Sequence, residues 1–178
     1  GSNELMNCLR EYNLIKNKHI PHDYKCNDRT TQLELLAGII DSDGSASNNT
    51  YDIIQKNERL LDDIIFIARS LGFAAYKTEC KKHCMYKGEK KEGTYYRTCI
   101  HGKGLDEIPV KCPRKKVTPR KQIKDALSTR IKLEKLEVDD YYGFEIDGNR
   151  RFVLGDYTVT HNTIMALNII SKLKKKNK

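Results

Sequence analysis

Nine residues from Leu36 to Gly44, LAGIIDSDG, constrain this chain more than any other stretch. Leu33, Leu36, Ala37 and Ile40 recur at the spacing of one face of an α-helix, so the segment reads as the end of a helix with a buried side. Ala37 and Gly38 are small, which lets a second helix approach closely there. Asp41 and Asp43 then fall at the helix C-terminus, where the helix dipole makes negative charge unfavourable. Two carboxylates in that position point to a bound cation that offsets the cost. A hard divalent ion such as Mg²⁺ suits oxygen ligands and would activate water against a phosphodiester. The plainer reading is a buried helix closed by a solvated Asp-Ser-Asp-Gly turn, because Asp-Gly is a common turn pair.

The residues that follow keep a regular order. A short strand near Ser45 to Ser47 turns at Asn48-Asn49 into a second over Tyr51 to Gln55. Asn57 is placed to cap a helix whose apolar face is Leu60, Leu61, Ile64, Ile65, Ala68 and Leu71. Gly72 stops it. Phe73 to Thr78 and Thr94 to Ile100 read as two more strands, with the Lys-rich stretch Glu79 to Gly93 as a loop between them.

LAGIIDSDG differs from the LAGLIDADG signature of homing endonucleases only at Ile39 and Ser42. The helix-strand-strand-helix-strand-strand order resembles one half of such an enzyme. Upstream, NLIKNKHIPHDYKCN (Asn13 to Asn27) resembles the lead-in to the second endonuclease half inside yeast-type inteins. The resemblance implies that the strands form a saddle in the major groove of double-stranded DNA. It implies that Asp43 is a catalytic carboxylate and the ligand of Mg²⁺, and that Lys116 assists cleavage. DNA contacts are expected from Gln55, Arg114, Lys115 and Arg120. Lys115 and Lys116 are neighbours, and one sequence does not fix which of them takes the catalytic position. Each half of such an enzyme supplies one carboxylate, so a second copy docking through Ala37 and Gly38 would make a homodimer. A DNA-binding module of this family without cleavage activity is the alternative.

A second motif lies near the end of the chain. His161-Asn162-Thr163 closes the segment FVLGDYTVTHNT, which follows YYGFEIDG. The amide nitrogen of Asn162 can attack its own main-chain carbonyl, close a succinimide and cut the bond to Thr163. His161 can donate a hydrogen bond to the scissile carbonyl oxygen, and Thr163 offers a hydroxyl nucleophile just past the cut. Alone, the segment reads as two strands with Phe144, Ile146 and Phe152 to Leu154 in a core and Gly148-Asn149 in a turn. Taken whole, Tyr141 to Thr163 resembles the C-terminal splicing blocks of inteins. It departs from them at Arg150, where inteins commonly carry a histidine that assists cyclisation; a guanidinium stays protonated and cannot act as a base near neutral pH. Neither an N-terminal splice-junction nucleophile nor the Thr-x-x-His segment that would activate that junction is found ahead of Leu36, which implies an N-terminal intein half as partner. TIMALNIISKLKKK (Thr163 to Lys176) resembles the helix after the phosphate loop of a P-loop helicase, the expected host.

The expected fold is therefore α+β. Residues 1–2 are a cleavage scar, 3–137 an endonuclease half, 138–162 β-strands of the intein splicing (Hint) domain, and 163–178 a stub of host protein. Composition agrees with a nucleic-acid partner: 33 Lys and Arg against 24 Asp and Glu give a net charge of +9, concentrated in Lys111 to Lys124 and Lys172 to Lys178. No apolar run is long enough to span a membrane and no secretory signal is present, so an intracellular location is expected. The six cysteines lack a disulfide-framework spacing and are read as reduced thiols. Cys80, His83, Cys84, Cys99 and His101 have only weak zinc-like spacing.

Overall fold

Capping side chains mark where the helices begin. Asn3 accepts a hydrogen bond from the Met6 backbone N–H at 3.2 Å, at the head of α1 (Glu4–Glu11). A one-turn helix, α2 (His22–Lys25), follows. Asp28 then accepts from the Thr31 N–H at 3.1 Å and starts α3 (Arg29–Asp43), which carries the LAGIIDSDG motif. The computed structural model describes residues 3–86, 89–119, 134–135, 137–140, 145–155 and 157–161. The chain divides into two compact units, Gly1–Thr129 and Arg130–Lys178.

In the first unit, α3 runs straight into β1 (Gly44–Ser47), which pairs antiparallel with β2 (Thr50–Gln55). Asn48 and Asn49 between them both have positive φ, 52° and 54°. That is the turn geometry whose twist matches two antiparallel strands, and asparagine tolerates it better than most residues. Asn57 starts α4 (Glu58–Ser70) by accepting from the Leu60 N–H at 3.0 Å. Gly72 ends it with a φ of 91°. The Gly72 N–H donates to the Arg69 carbonyl and the Phe73 N–H to the Ala68 carbonyl, both at 2.9 Å, so the last open carbonyls of the helix are satisfied.

Two long strands, β3 (Lys77–Tyr86) and β4 (Glu89–Ile100), complete an antiparallel sheet in the order β1-β2-β4-β3. Here the structure corrects the sequence reading. Glu79 to Gly93 is not a loop: it is the outer part of a hairpin paired from Lys77↔Thr98 out to Tyr86↔Glu89. Phe73 to Thr78 is a strand only from Lys77 on, preceded by a single bridge between Ala74 and His101. The hairpin arms are wet on both faces, with Lys81, Lys82, His83, Met85, Lys90 and Glu92 all exposed. They therefore lack the apolar-polar alternation by which a half-buried strand is recognised.

The core lies between α3, α4 and one face of the sheet. Leu36, Ile40, Leu61, Ile64, Ile67, Tyr51, Ile53 and Ile100 are fully buried. Ile67, absent from the expected apolar face of α4, is among them, and Leu60 is only partly buried. The lead-in is tied down by Asp63 of α4, which is buried and accepts from the Ile20 N–H at 3.0 Å and from Lys25 Nζ at 2.6 Å.

In the second unit, β5 (Arg151–Val153) pairs antiparallel with β6 (Val159–His161), with Arg151 opposite His161 and Val153 opposite Val159. Gly148, expected in a turn, has φ 69°. Phe152, Leu154 and Ile146 are half-buried, whereas Val153 is 59% exposed, against the expectation that it is core. Phe144 lies outside the described residues. No helix among the described residues is long and apolar enough to cross a membrane.

Candidate functional site

The LAGIIDSDG helix stops at Asp43, and its carboxylate is exposed. Gly44 makes the sharp exit into β1 and approaches the helix closely. A Cβ there would sit 2.9 Å from Ile40 Cα, so only glycine fits without moving backbone. The β1–β2 hairpin folds back and brings Gln55, the last residue of β2, beside the end of the helix. Gln55 Nε2 donates to Asp43 Oδ2 at 3.0 Å. An ionised carboxylate can only accept, so the amide nitrogen must face it. This contact orients Asp43 and leaves its other oxygen available.

Asp41 has a different task from the one its position implied. Its two carboxylate oxygens accept from the backbone N–H groups of Lys111 and Cys112, at 2.9 and 3.0 Å. Those two bonds hold its pKa below the ordinary 3.8. Asp41 is thus not free to join a cation site, because it is occupied by the segment that crosses the helix end. Among the described residues no three His, Cys, Asp or Glu side chains are grouped to hold a metal. The donor set fits one side of a hard-cation site: one free carboxylate oxygen, with further oxygens to come from elsewhere.

Lys115 is also placed otherwise than expected. Rather than facing a phosphate, it is buried, and its ammonium donates to the carbonyls of Ile40 and Asp41 at 2.8 Å each. A cation at this end of a helix satisfies open carbonyls and suits the dipole. Further along, the Thr118 N–H donates to Asn49 Oδ1 at 3.3 Å, and Asn49 Nδ2 donates back to the Thr118 hydroxyl at 3.1 Å. Lys116 therefore stands exposed between two fixed neighbours, and Arg114 is exposed on the other side of Lys115. Arg120 lies outside the described residues.

This clamp makes a prediction. Lys115→Met should lower stability by about 2 kcal/mol, the scale of hydrogen bonds from a charged donor, measured by urea unfolding at neutral pH. The Asp41 contribution has its own pH signature. Its folded pKa is depressed, so its stabilisation is present above the ordinary carboxylate value of 3.8 and is lost as pH falls through the lower folded value. Asp41→Asn should unfold more easily than wild type at neutral pH, and the gap should close in acid. A gap that persists unchanged at pH 2 would show that the carboxylate charge is not what anchors the segment.

Beside the motif is a groove of about 470 Å³ lined by Glu34, Ala37, Gly38, Asp41, Pro109 and Lys111. A Cβ on Gly38 would meet nothing within 4 Å, so this face of α3 is open. Near the C-terminus, His161 is the last residue of β6 and pairs with Arg151. Arg150, next to that pair, has φ 56°. Asn162 and Thr163 lie outside the described residues.

An antiparallel sheet backed by two helices, with a glutamine-held carboxylate at a helix end and a clamped basic segment beside it, defines an α+β domain. The homing endonuclease family matches residues 19–124, more than half of the chain, and the chain belongs to that family. The chain is also 36% identical over 66 residues to a replicative DNA helicase, DnaB, of Mycobacterium intracellulare. That similarity covers 36% of this chain and 12% of the helicase.

Proposed function

We propose that this chain is the C-terminal part of an intein: one LAGLIDADG endonuclease half, the last splicing strands and a stub of a helicase host. The observation that carries the endonuclease part is the Asp43–Gln55 pair at the end of the LAGIIDSDG helix, 3.0 Å apart, within the stretch that matches homing endonucleases. Asp43 would hold the divalent cation together with the carboxylate of a second half and phosphate oxygens. When bound, that ion supplies an activated water and a Lewis acid at the scissile phosphate. Gln55 keeps the Asp43 carboxylate in one orientation. Lys116, displayed between anchored neighbours, adds positive charge where charge develops on the phosphate oxygens. The exposed Gly38 side of α3 is where a second half would dock, from the N-terminal intein part or from a second copy; Ala37, expected to share that face, is buried in the core.

The splicing part rests on His161-Asn162-Thr163, which begins at the last residue of β6. Splicing is expected to need the N-terminal half, which supplies the first nucleophile. The Thr163 hydroxyl then takes over the acyl group as an ester, Asn162 cyclises and frees the Thr163 amine, and the ester rearranges to the amide of the ligated host. The similarity to a protein named as a replicative helicase supports a helicase as the interrupted host. The test joins the chain with its N-terminal half and offers a plasmid carrying the uninterrupted insertion site with Mg²⁺. Double-strand cleavage at that site is the expected result. Binding without any cleavage would instead mean a DNA-binding module.

A further inference from the structure

The face of the sheet turned away from the helices carries a second organised group. The register sets Ile54 and Thr78 on either side of Arg97 in one row, and Asp52 beside Cys99 in the next. Arg97 Nε donates to Asp52 Oδ1 at 2.8 Å. Cys99 Sγ lies 3.7 Å from the same oxygen, and the Thr78 hydroxyl donates to the Arg97 carbonyl at 3.2 Å. The Asp52 side chain is 22% exposed and that of Arg97 48%. The carboxylate is thus recessed while the guanidinium reaches outward.

This arrangement discriminates between two jobs for an arginine. A side chain that only neutralises phosphate gains from flexibility and full charge, and a carboxylate 2.8 Å away offsets that charge. A side chain that reads a base needs a fixed plane, because guanine presents O6 and N7 as two acceptors in one edge. Asp52 takes the Nε–H donor and so fixes the plane; the terminal amino groups remain as a fork of the right geometry.

Given the endonuclease reading above, on which this rests, we propose that Arg97, buttressed by Asp52, is a specificity-determining residue that reads one guanine in the major groove of the target duplex. Ile54, half-buried in the same row, flanks it as an apolar surface, the kind that accepts a thymine methyl.

The test selects bound sites from a random duplex library, with the complete endonuclease as wild type, Arg97→Lys, Arg97→Gln and Asp52→Asn. Wild type should select a site with guanine fixed at one position. Both Arg97 variants should lose preference for that base by about 10- to 100-fold while keeping the rest of the site, and Asp52→Asn should weaken the same position. The salt dependence of binding should barely change. If the variants select the same site with guanine intact, or lose affinity evenly over all sequences with a salt slope smaller by about one, Arg97 is not the reader. A wild-type protein that selects no sequence would overturn the endonuclease reading itself, and the inference with it.

Discussion

Asp43→Asn should abolish double-strand cleavage by the assembled endonuclease while leaving DNA binding within a few-fold of wild type. The carboxylate sits at the end of α3, where its negative charge opposes the helix dipole, and its exposure means that packing does not require it. Asparagine is close to its shape, can still accept from Gln55 and removes the charge that opposes the helix dipole. The variant should therefore fold at least as well as wild type. Cleavage should fall by about 10³-fold or more, since losing a charged ligand removes several kcal/mol of transition-state stabilisation. Opposite signs for activity and stability separate a functional carboxylate from a structural one. A melting scan and a plasmid-linearisation assay on the same preparation would make the comparison. Normal cutting by the asparagine variant would remove Asp43 from the site. Asp41→Asn supplies the contrast, because its carboxylate anchors Lys111 and Cys112 and its loss is expected to act through folding.

The parts of this fold that could be read from the sequence are those set by local chemistry. Asn57, Gly72 and the Asn48-Asn49 turn each act within a few residues of themselves, and the start and stop of α4 and the β1–β2 hairpin fall where those residues imply. The outer arms of β3 and β4 could not be read, because their stability comes from cross-strand ladder bonds and not from burial. The site divides in the same way. The placement of Asp43 at its helix end was legible because the motif is contiguous, and that of Gln55 because it ends the second strand after it. The roles of Asp41 and Lys115 were not, because their partners are about seventy residues away along the chain. A carboxylate that accepts backbone N–H groups and one that holds a cation look alike in a sequence. So do a lysine that caps a helix and one that meets a phosphate. Adjacent lysines make the point sharply: Lys115 is spent on carbonyls and Lys116 is displayed, a difference of one residue that only the path of the chain decides. The Arg97–Asp52 pair needed the β2–β4 register, which no local pattern supplies.

For the chain combined with its N-terminal half, the splicing motif yields a graded set of outcomes. Asn162→Ala should stop release of the segment beginning at Thr163, because alanine has no amide nitrogen to attack the main-chain carbonyl. A branched ester on the Thr163 hydroxyl should accumulate instead. Thr163→Ala should block ligation and still permit cleavage after Asn162, since cyclisation needs only the Asn162 amide. The strand register adds a third outcome. Arg151 pairs with His161, and Arg150 directly precedes that pair in the chain. A side chain at position 150 is thereby carried next to the strand end that leads into the scissile bond. Arg150 has φ 56°, a left-handed conformation that histidine adopts more readily than most residues. Arg150→His should thus be tolerated by the backbone and, by supplying a base near neutral pH, should speed Asn162 cyclisation by about 10-fold or more. Time-resolved mass spectrometry of the mixed halves distinguishes ligated host, branched ester and succinimide-terminated fragment. If the halves associate and none of the three species forms, the splicing role is wrong. If Arg150→His leaves the cyclisation rate unchanged, position 150 does not assist the Asn162 reaction.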